Sequence, residues 1–247
     1  MNWILVTASF GENRFHESAE RLISQAKEMG VFSDFFHVTE QNLDLFAPRI
    51  SQKYGNFLNS SCKGYGYYSW KSEIVYSILK DKIGDGVMYV DAGCELNSRF
   101  FARMRLRFMM NKAEEIGFFH VLKYRELEYT KRKVLDYFSL SPSDSSSWQI
   151  QATWFLLSGK GGIEVARKWT EACLTDIQIL DDSLGEEQDE FIEHRYDQSV
   201  FSSLLKSMGV PPNKHNPCFR PVSLKSKIRC YLHPVWSARN RSGVSIQ

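Results

Sequence analysis

Three stretches of the chain carry residue types that can do chemistry. The first is DAGCE, residues 91–95, which follows the apolar run VMYV at 87–90. An aspartate delivered from the end of a buried strand can hold a divalent cation, which takes hard oxygen ligands and few protein carboxylates when phosphates supply the rest. Asp and Gly after a strand are equally ordinary turn residues. The second is KGYGYYSWK, residues 63–71, with four aromatics, two glycines and two lysines in nine positions. Aromatic faces stack on bases and sugar rings, lysine meets phosphate, and glycine lets backbone approach a ligand; the plainer reading is an aromatic plug at the sheet edge. The third is HRYDQS, residues 194–199, where His194, Arg195, Asp197 and Gln198 can face a polyhydroxylated ligand, or Asp197 can simply cap a helix.

These stretches need a scaffold. Trp3–Ala8 reads as a buried strand, Glu17–Met29 as a helix with Ala19, Leu22, Ile23 and Ala26 at helical spacing, and Phe35–Val38 as a second strand. The opening is thus β-α-β, the start of a mostly parallel sheet flanked by helices, an α/β fold. Residues 41–70 suit a long functional loop. Ser72–Ile83 puts Ile74, Val75, Ile78 and Leu79 on one helix face, and Val87–Val90 follows as a strand. A helix capped by Asn97 or Ser98 is expected to reach Lys112. Further strands are expected over Gly117–Leu122 and Gln149–Ser158, and further helices over Thr130–Phe138, Ile163–Leu180 and Asp197–Met208. Ligands of open α/β sheets sit outside the carboxyl ends of the strands. That draws Thr7-Ala8-Ser9, Asp91-Ala92-Gly93 and the surroundings of Gln149 and Gln151 to one edge.

Bulk properties set outer limits. The 247 residues suffice for one large domain, expected over 1–210, with an irregular basic extension over 211–247 that packs on or closes over the site. Residues 176–197 hold nine acidic groups and one arginine, whereas residues 211–247 hold seven Lys/Arg and no acid. This asymmetry suits an anionic partner for the tail. The five cysteines are scattered and form no CxxC, so neither a disulfide framework nor a zinc module is expected. No apolar run approaches the ~20 residues of a membrane span, and the N-terminus lacks a basic region ahead of its short apolar run. The expected location is cytoplasmic. The segment FFARMRLRFMM, residues 100–110, sets arginines between large apolar groups. Such a helix either packs its apolar side into the core or lies on an anionic membrane, peripherally at its inner face. No GxxxxGK[ST] and no GxGxxG after the first strand occurs, so neither a P-loop nor a Rossmann dinucleotide site is expected.

Taken in order, GYGYYSWK, GDGVMYVDAGCE, YTKRKVLDYF, WQIQATWFLLS and HRYDQSVFS resemble the GT-A fold glycosyltransferases that build bacterial capsule and lipopolysaccharide. The resemblance covers about residues 55–205. It implies a nucleotide-sugar donor and a surface-polysaccharide or lipid-linked glycan acceptor, with no nucleic acid. Asp91 matches the first aspartate of the DxD-type element that holds Mn²⁺ or Mg²⁺ on the donor diphosphate. Gly93 stands where many relatives have the second aspartate, a departure for which Glu95 would substitute, with His215 or His233 as an additional metal ligand. Alternatively Lys214, His215, Arg220, Lys225, Lys227 and Arg229 would neutralise the diphosphate. Thr7, Ala8 and Ser9 would lie against the nucleotide, Trp70 and Lys71 would line the donor site, and Gln149 and Gln151 would sit near the transferred sugar. Asp197-Gln198 resembles the pair that retaining members set beside donor and acceptor. Lys131, His194 and Arg195 fall in matching segments. The rival expectations are a sugar-phosphate nucleotidyltransferase, which the first strand's lack of a glycine-rich triphosphate loop disfavours, and a non-catalytic glycan-binding protein.

Overall fold

The protein is described here as a computed structural model covering residues 1–81, 86–213, 228, 230–240 and 242–244. Its central sheet has the strand order β2-β1-β3-β8-β5, with β1 at Trp3–Ala8, β2 at Asp34–Val38, β3 at Gly86–Val90, β5 at Gly117–Phe118 and β8 at Trp154–Ser158. β1 pairs in parallel with β2 and β3, while β8 runs antiparallel to both β3 and β5. Four of the five strands therefore point one way and β8 is the reversed member.

Burial explains why these runs are almost wholly apolar. Ile4, Val6, Val87, Tyr89, Phe155 and Leu157 face one core, and Trp3, Leu5, Met88, Val90, Trp154 and Leu156 face the other. A strand covered on both faces has no polar side to alternate with. The long helices that cover it are α1 at Asn13–Met29, α2 at Trp70–Asp81, α3 at Phe100–Lys112, α4 at Gly159–Thr175 and α5 at Tyr196–Ser207. α2 buries Ile74, Val75, Ile78 and Leu79, the four residues its periodicity singles out. Gly30 ends α1 in the left-handed conformation, with its N–H on the Lys27 carbonyl.

Four expected segments take a different form. Residues 41–70 hold short helices at Leu43–Phe46, Pro48–Tyr54 and Gly64–Tyr67 rather than a plain loop. The expected strand at 117–122 splits into β5 and β6, at Val121–Arg125, and the one at 149–158 splits into β7, at Trp148–Ile150, and β8. The chain changes sheets at both breaks, because β6 pairs with β7 and leaves the main sheet. Periodicity cannot reveal such a break, since both halves are apolar and extended. The helix expected from Ile163 begins earlier, with Gly159–Gly162 as the first turn of α4. Its glycines pack so closely on 114–116 that a Cβ at Gly161 would meet the Glu115 carbonyl oxygen at 2.6 Å.

The tail returns to the domain. β9 at Val235–Trp236 pairs antiparallel with β4 at Glu95–Leu96, and Asn97 Nδ2 donates to the Tyr231 carbonyl at 2.8 Å. Cys62, Cys94 and Cys173 are free thiols, whereas Cys230 is disulfide-bonded, a cross-link that the scattered cysteine spacing does not announce. Among the described residues no helix is long and apolar enough to cross a membrane.

Candidate active site

The carboxyl edge of β1 and β3 opens into a cavity of about 540 Å³. Ala8, Ser9, Phe10 and Gly11 enter it from β1, and Asp91, Ala92 and Gly93 enter it from β3. Gln151 and Thr153 come from the break between β7 and β8, Arg195 and Gln198 from the start of α5, and Ser237, Arg239 and Asn240 from the tail. The Asp91 N–H donates to the Thr153 carbonyl at 2.8 Å, so the strand break and the DAG turn hold each other.

Beneath the floor lies a group of three charges. The Lys71 ammonium sits 3.1 Å from Asp91 Oδ1 and 2.7 Å from Asp197 Oδ2, between the rings of Tyr89 and Tyr68 at 4.9 and 5.5 Å. Its third oxygen neighbour is the Ala152 carbonyl at 3.4 Å. Burial opposes the charge on Lys71, but the two carboxylates outweigh it, Asp197 more than Asp91, and its pKa is raised. Asp197 is also buried, which pushes its carboxyl up. Lys71 pulls it back and Asp91 pushes it further, and it comes to rest at about 6. Asp91 is the member that reaches the cavity, with its side chain 38% exposed. At neutral pH two carboxylates and one ammonium give the group a net negative charge.

The raised Asp197 pKa makes this group's contribution to stability fall as pH rises. A carboxyl that titrates near 6 folded and near 3.8 unfolded binds a proton in the native state between those values. Stability is therefore fully present below about pH 4 and is lost as pH rises to 6, by about 3 kcal/mol at 1.36 kcal/mol per unit. Unfolding titrations of wild type and Asp197→Asn from pH 4 to 7 are expected to show wild type losing ground to the variant across that window. A difference independent of pH would contradict this charge arrangement.

The aromatic wall has an unusual backbone. Gly64, Tyr65, Gly66, Tyr67 and Tyr68 all have positive φ, making one left-handed turn closed by Tyr67 N–H to the Lys63 carbonyl at 2.7 Å and Tyr68 N–H to the Gly64 carbonyl at 3.2 Å. Tyrosines in this region cost roughly 1–2 kcal/mol each, and such strain gathers at functional sites. The Tyr68 ring lies over Gly64 where any Cβ would collide with it. The turn sets Tyr65 flat against Phe10, with ring centroids 4.6 Å apart, and brings Trp70 to 4.7 Å from Phe10. On another side of the cavity the Arg195 guanidinium lies over Tyr124 at 4.0 Å and Tyr129 at 4.3 Å.

The expected residues divide by position. Ala8, Ser9, Trp70, Asp91, Ala92, Gly93, Gln151, Arg195 and Gln198 line the cavity, and Lys71 and Asp197 lie buried below it. Gln149 is buried and accepts from Gln198 Nε2 at 2.6 Å while donating to Glu126 and Thr130, each at 3.2 Å, so it positions Gln198. Gln151 Nε2 donates to Ser237 Oγ at 3.2 Å, and its Oε1 is buried with no partner among the described residues. Thr7 is buried in β1, its hydroxyl likewise unpartnered.

Three others are structural in their contacts. Lys131 holds Asp181 Oδ1 at 3.1 Å and the Ser183 carbonyl at 3.1 Å, fixing the acidic segment. His194 Nε2 bonds the Ile179 carbonyl at 3.0 Å, and burial holds its pKa down at about 3, so it is neutral. Glu95 is fully buried in β4, accepts from Asn240 Nδ2 at 2.6 Å, and lies outside the cavity lining. Its charge acts on Arg21, which donates to the Ala92 and Cys94 carbonyls at 3.0 and 2.8 Å and so braces the DAG turn. His215 and the tail cations Lys214, Arg220, Lys225, Lys227 and Arg229 lie outside the described residues, and His233 is buried in the tail.

The metal expectation can be set against these donors. Asp91 shares its carboxylate with Lys71, and Glu12 at the rim is paired with Arg14 at 2.7 Å. Among the described residues no three His, Cys, Asp or Glu side chains gather as a chelate. These donors do not amount to a metal centre built by the protein.

Phe10, Tyr65, Tyr68, Tyr89, Tyr124, Arg239 and Glu126 escape a reading by motif. The tyrosines at 65, 68 and 89 lie inside quoted motifs, where their number was visible but not their direction. Phe10, Tyr124, Glu126 and Arg239 reach the site or its support only through the fold.

No protein-family model and no curated protein matches the chain. Among solved structures, it is similar to a glycosyltransferase involved in glycosylation of the major capsid of PBCV-1, at 8% identity and a TM-score of 0.50, covering 96% of this chain and 94% of that one. The chain has the GT-A fold. It also aligns with mouse xyloside xylosyltransferase 1 in its apo form, at 8% identity and a TM-score of 0.48, over 99% and 100% of the two chains. At such identities the likeness concerns architecture, and the chemistry must come from the cavity itself. In this GT-A fold the carboxyl edge that carries Asp91 is the ligand edge expected of an open α/β sheet.

Proposed function

We propose that the chain is a glycosyltransferase that moves a sugar from a nucleotide-sugar to a surface-polysaccharide or lipid-linked glycan acceptor. The observation that carries this reading is the Asp91–Lys71–Asp197 group under an aromatic-walled cavity at the ligand edge of a GT-A sheet. Transfer breaks the bond from the anomeric carbon to the diphosphate and forms a bond from that carbon to an acceptor oxygen. Positive charge grows on the sugar ring, as in other glycosyl reactions, and negative charge grows on the leaving phosphate.

The cavity suits both charges. The Asp91 carboxylate stabilises the oxocarbenium-like sugar, and the Lys71 ammonium 3.1 Å away holds it in place. The Arg195 guanidinium, over the rings of Tyr124 and Tyr129 and steadied by Glu193 at 3.1 Å, meets the phosphates through its planar donors. Phe10, Tyr65 and Trp70 offer faces on which a base or sugar ring stacks. Gln198, fixed by Gln149, and Gln151, fixed by Ser237, present amides to sugar hydroxyls. The Asp197-Gln198 pair favours retention, with the leaving phosphate oxygen taking the acceptor proton on the front face.

Incubation with UDP-, GDP- and CMP-sugars, with and without Mn²⁺ or Mg²⁺, is expected to release free nucleotide from one donor, faster when acceptor glycans are added. Pyrophosphate release from a nucleoside triphosphate and sugar phosphate would favour a nucleotidyltransferase. No turnover of any donor would defeat the reading.

A further inference from the structure

Helix α3 buries Ala102, Leu106, Met109 and Met110 against the core and leaves its other large apolar side chains in solvent. Phe100, Phe101, Met104 and Phe108 are each more than half exposed. Apolar residues scattered singly on a surface are ordinary, but four on one helix are not. The patch continues beyond the helix. The Arg99 guanidinium lies 4.9 Å from the Tyr231 ring, and Ile228, Tyr231 and Leu232 are also exposed. The expectation that the apolar residues of FFARMRLRFMM belong to the core therefore holds for only one side of the helix.

The charges on the helix itself all have one sign, with the exposed Glu114 and Glu115 only beyond its C-terminal end. Residues 97–113 contain Arg99, Arg103, Arg105, Arg107 and Lys112 and no acidic residue. Arg99, Arg107 and Lys112 are exposed, and the Lys112 ammonium rests over the exposed Phe108 ring at 5.8 Å. Aromatic side chains bordered by cations, on a helix too short and too charged to span a bilayer, are what an interfacial helix presents to lipid.

We propose that the exposed face of α3, with Ile228, Tyr231 and Leu232 beside it, docks this protein on an anionic membrane surface. Phe100, Phe101, Met104 and Phe108 enter the boundary between headgroups and acyl chains, and the arginines meet lipid phosphates. A second copy of the chain fits this face poorly, because a two-fold contact would set five cations against the same five. A single-stranded nucleic acid would stack on the phenylalanines but gain little from Met104, Ile228 and Leu232. The loop that carries Asp91, Ala92 and Gly93 continues through β4 directly into α3, so a docked helix keeps the cavity near the membrane. The docking proposal stands without the sugar-transfer reading, and its test does not measure turnover.

Flotation with phosphatidylcholine vesicles, and with vesicles in which about a third of the lipid is phosphatidylglycerol, checks it on the full chain in moderate salt. Wild type is expected to float with the anionic vesicles and stay behind with the neutral ones. Phe100→Ser/Phe101→Ser is expected to lower partitioning by more than about tenfold, and Arg103→Gln/Arg107→Gln by about thirtyfold, an effect that high salt also produces. All four positions lie outside the cavity lining, so unchanged thermal unfolding serves as the control for folding. Equal binding to neutral vesicles, or binding indifferent to these substitutions, would overturn the proposal. So would failure to float together with a dimer that Phe100→Ser/Phe101→Ser dissociates, or with oligonucleotide binding that Arg103→Gln/Arg107→Gln abolishes.

Discussion

Lys71→Met is expected to lower the unfolding free energy by about 3–5 kcal/mol, the usual penalty for breaking a buried ion pair from one side. The ammonium is almost wholly buried and is the cation shared by Asp91 and Asp197. Methionine replaces the length of the side chain and leaves two carboxylates facing each other without it. Asp91 can turn toward the cavity and water. Asp197 cannot, and it must take up a proton. The variant should therefore be most impaired at neutral pH and recover as the pH falls below that of the raised Asp197 titration. Lys71→Met/Asp197→Asn, which removes both charges, should regain much of the loss. At roughly 2–4 °C per kcal/mol for a chain of this size, the single variant should melt some 6–20 °C lower than wild type. Chemical denaturation of the three proteins at pH 5 and 7 measures this, and a single-variant loss under about 1 kcal/mol would mean that Lys71 is not held as described.

Asp91→Asn should do the opposite, sparing the fold and removing the activity. The side chain is partly exposed, it keeps its shape as an amide, and Lys71 retains Asp197 and the Ala152 carbonyl. The stability cost should stay near 1–2 kcal/mol. Turnover of the nucleotide-sugar that wild type uses should fall by about a hundred to a thousand fold, the cost typical of losing one preorganised electrostatic contact to a transition state. Nucleotide affinity should change much less, because Phe10, Tyr65 and Arg195 remain. That split separates the transferase from a glycan-binding module, in which Asp91→Asn would leave glycan affinity intact and no turnover would exist to lose.

What the sequence revealed follows from how local each signal is. The first strand was legible as a continuous run buried on both faces, and helix α2 because Ile74, Val75, Ile78 and Leu79 recur at helical spacing. Asp91 was legible because an ionisable residue follows a run of four apolar ones. The split of 149–158 was not, because nothing in its composition marks the change of sheet that hands Gln151 and Thr153 to the cavity. Glu95 looked like a substitute for a missing carboxylate when counted along the chain. A two-residue strand turns it inward toward Asn240 instead. The left-handed turn at 64–68 contains two glycines, but its contributions from Tyr65, Tyr67 and Tyr68 run against local preference and require the tertiary structure to hold them. Lys71 was named as a donor-site residue from its motif. Only the fold brings two carboxylates, from residues 20 and 126 positions away in sequence, to the same ammonium.

Sugar transfer from a nucleotide-sugar requires this cavity to receive a nucleotide. Isothermal titration of the wild-type chain with UDP, GDP and CMP, each with and without Mn²⁺, tests it most directly. One of the three should bind at micromolar concentrations and compete with its own nucleotide-sugar, and Tyr65→Ala, which removes the ring stacked on Phe10, should weaken it at least about tenfold. Heats indistinguishable from dilution for all three nucleotides, in both metal conditions, would contradict the account.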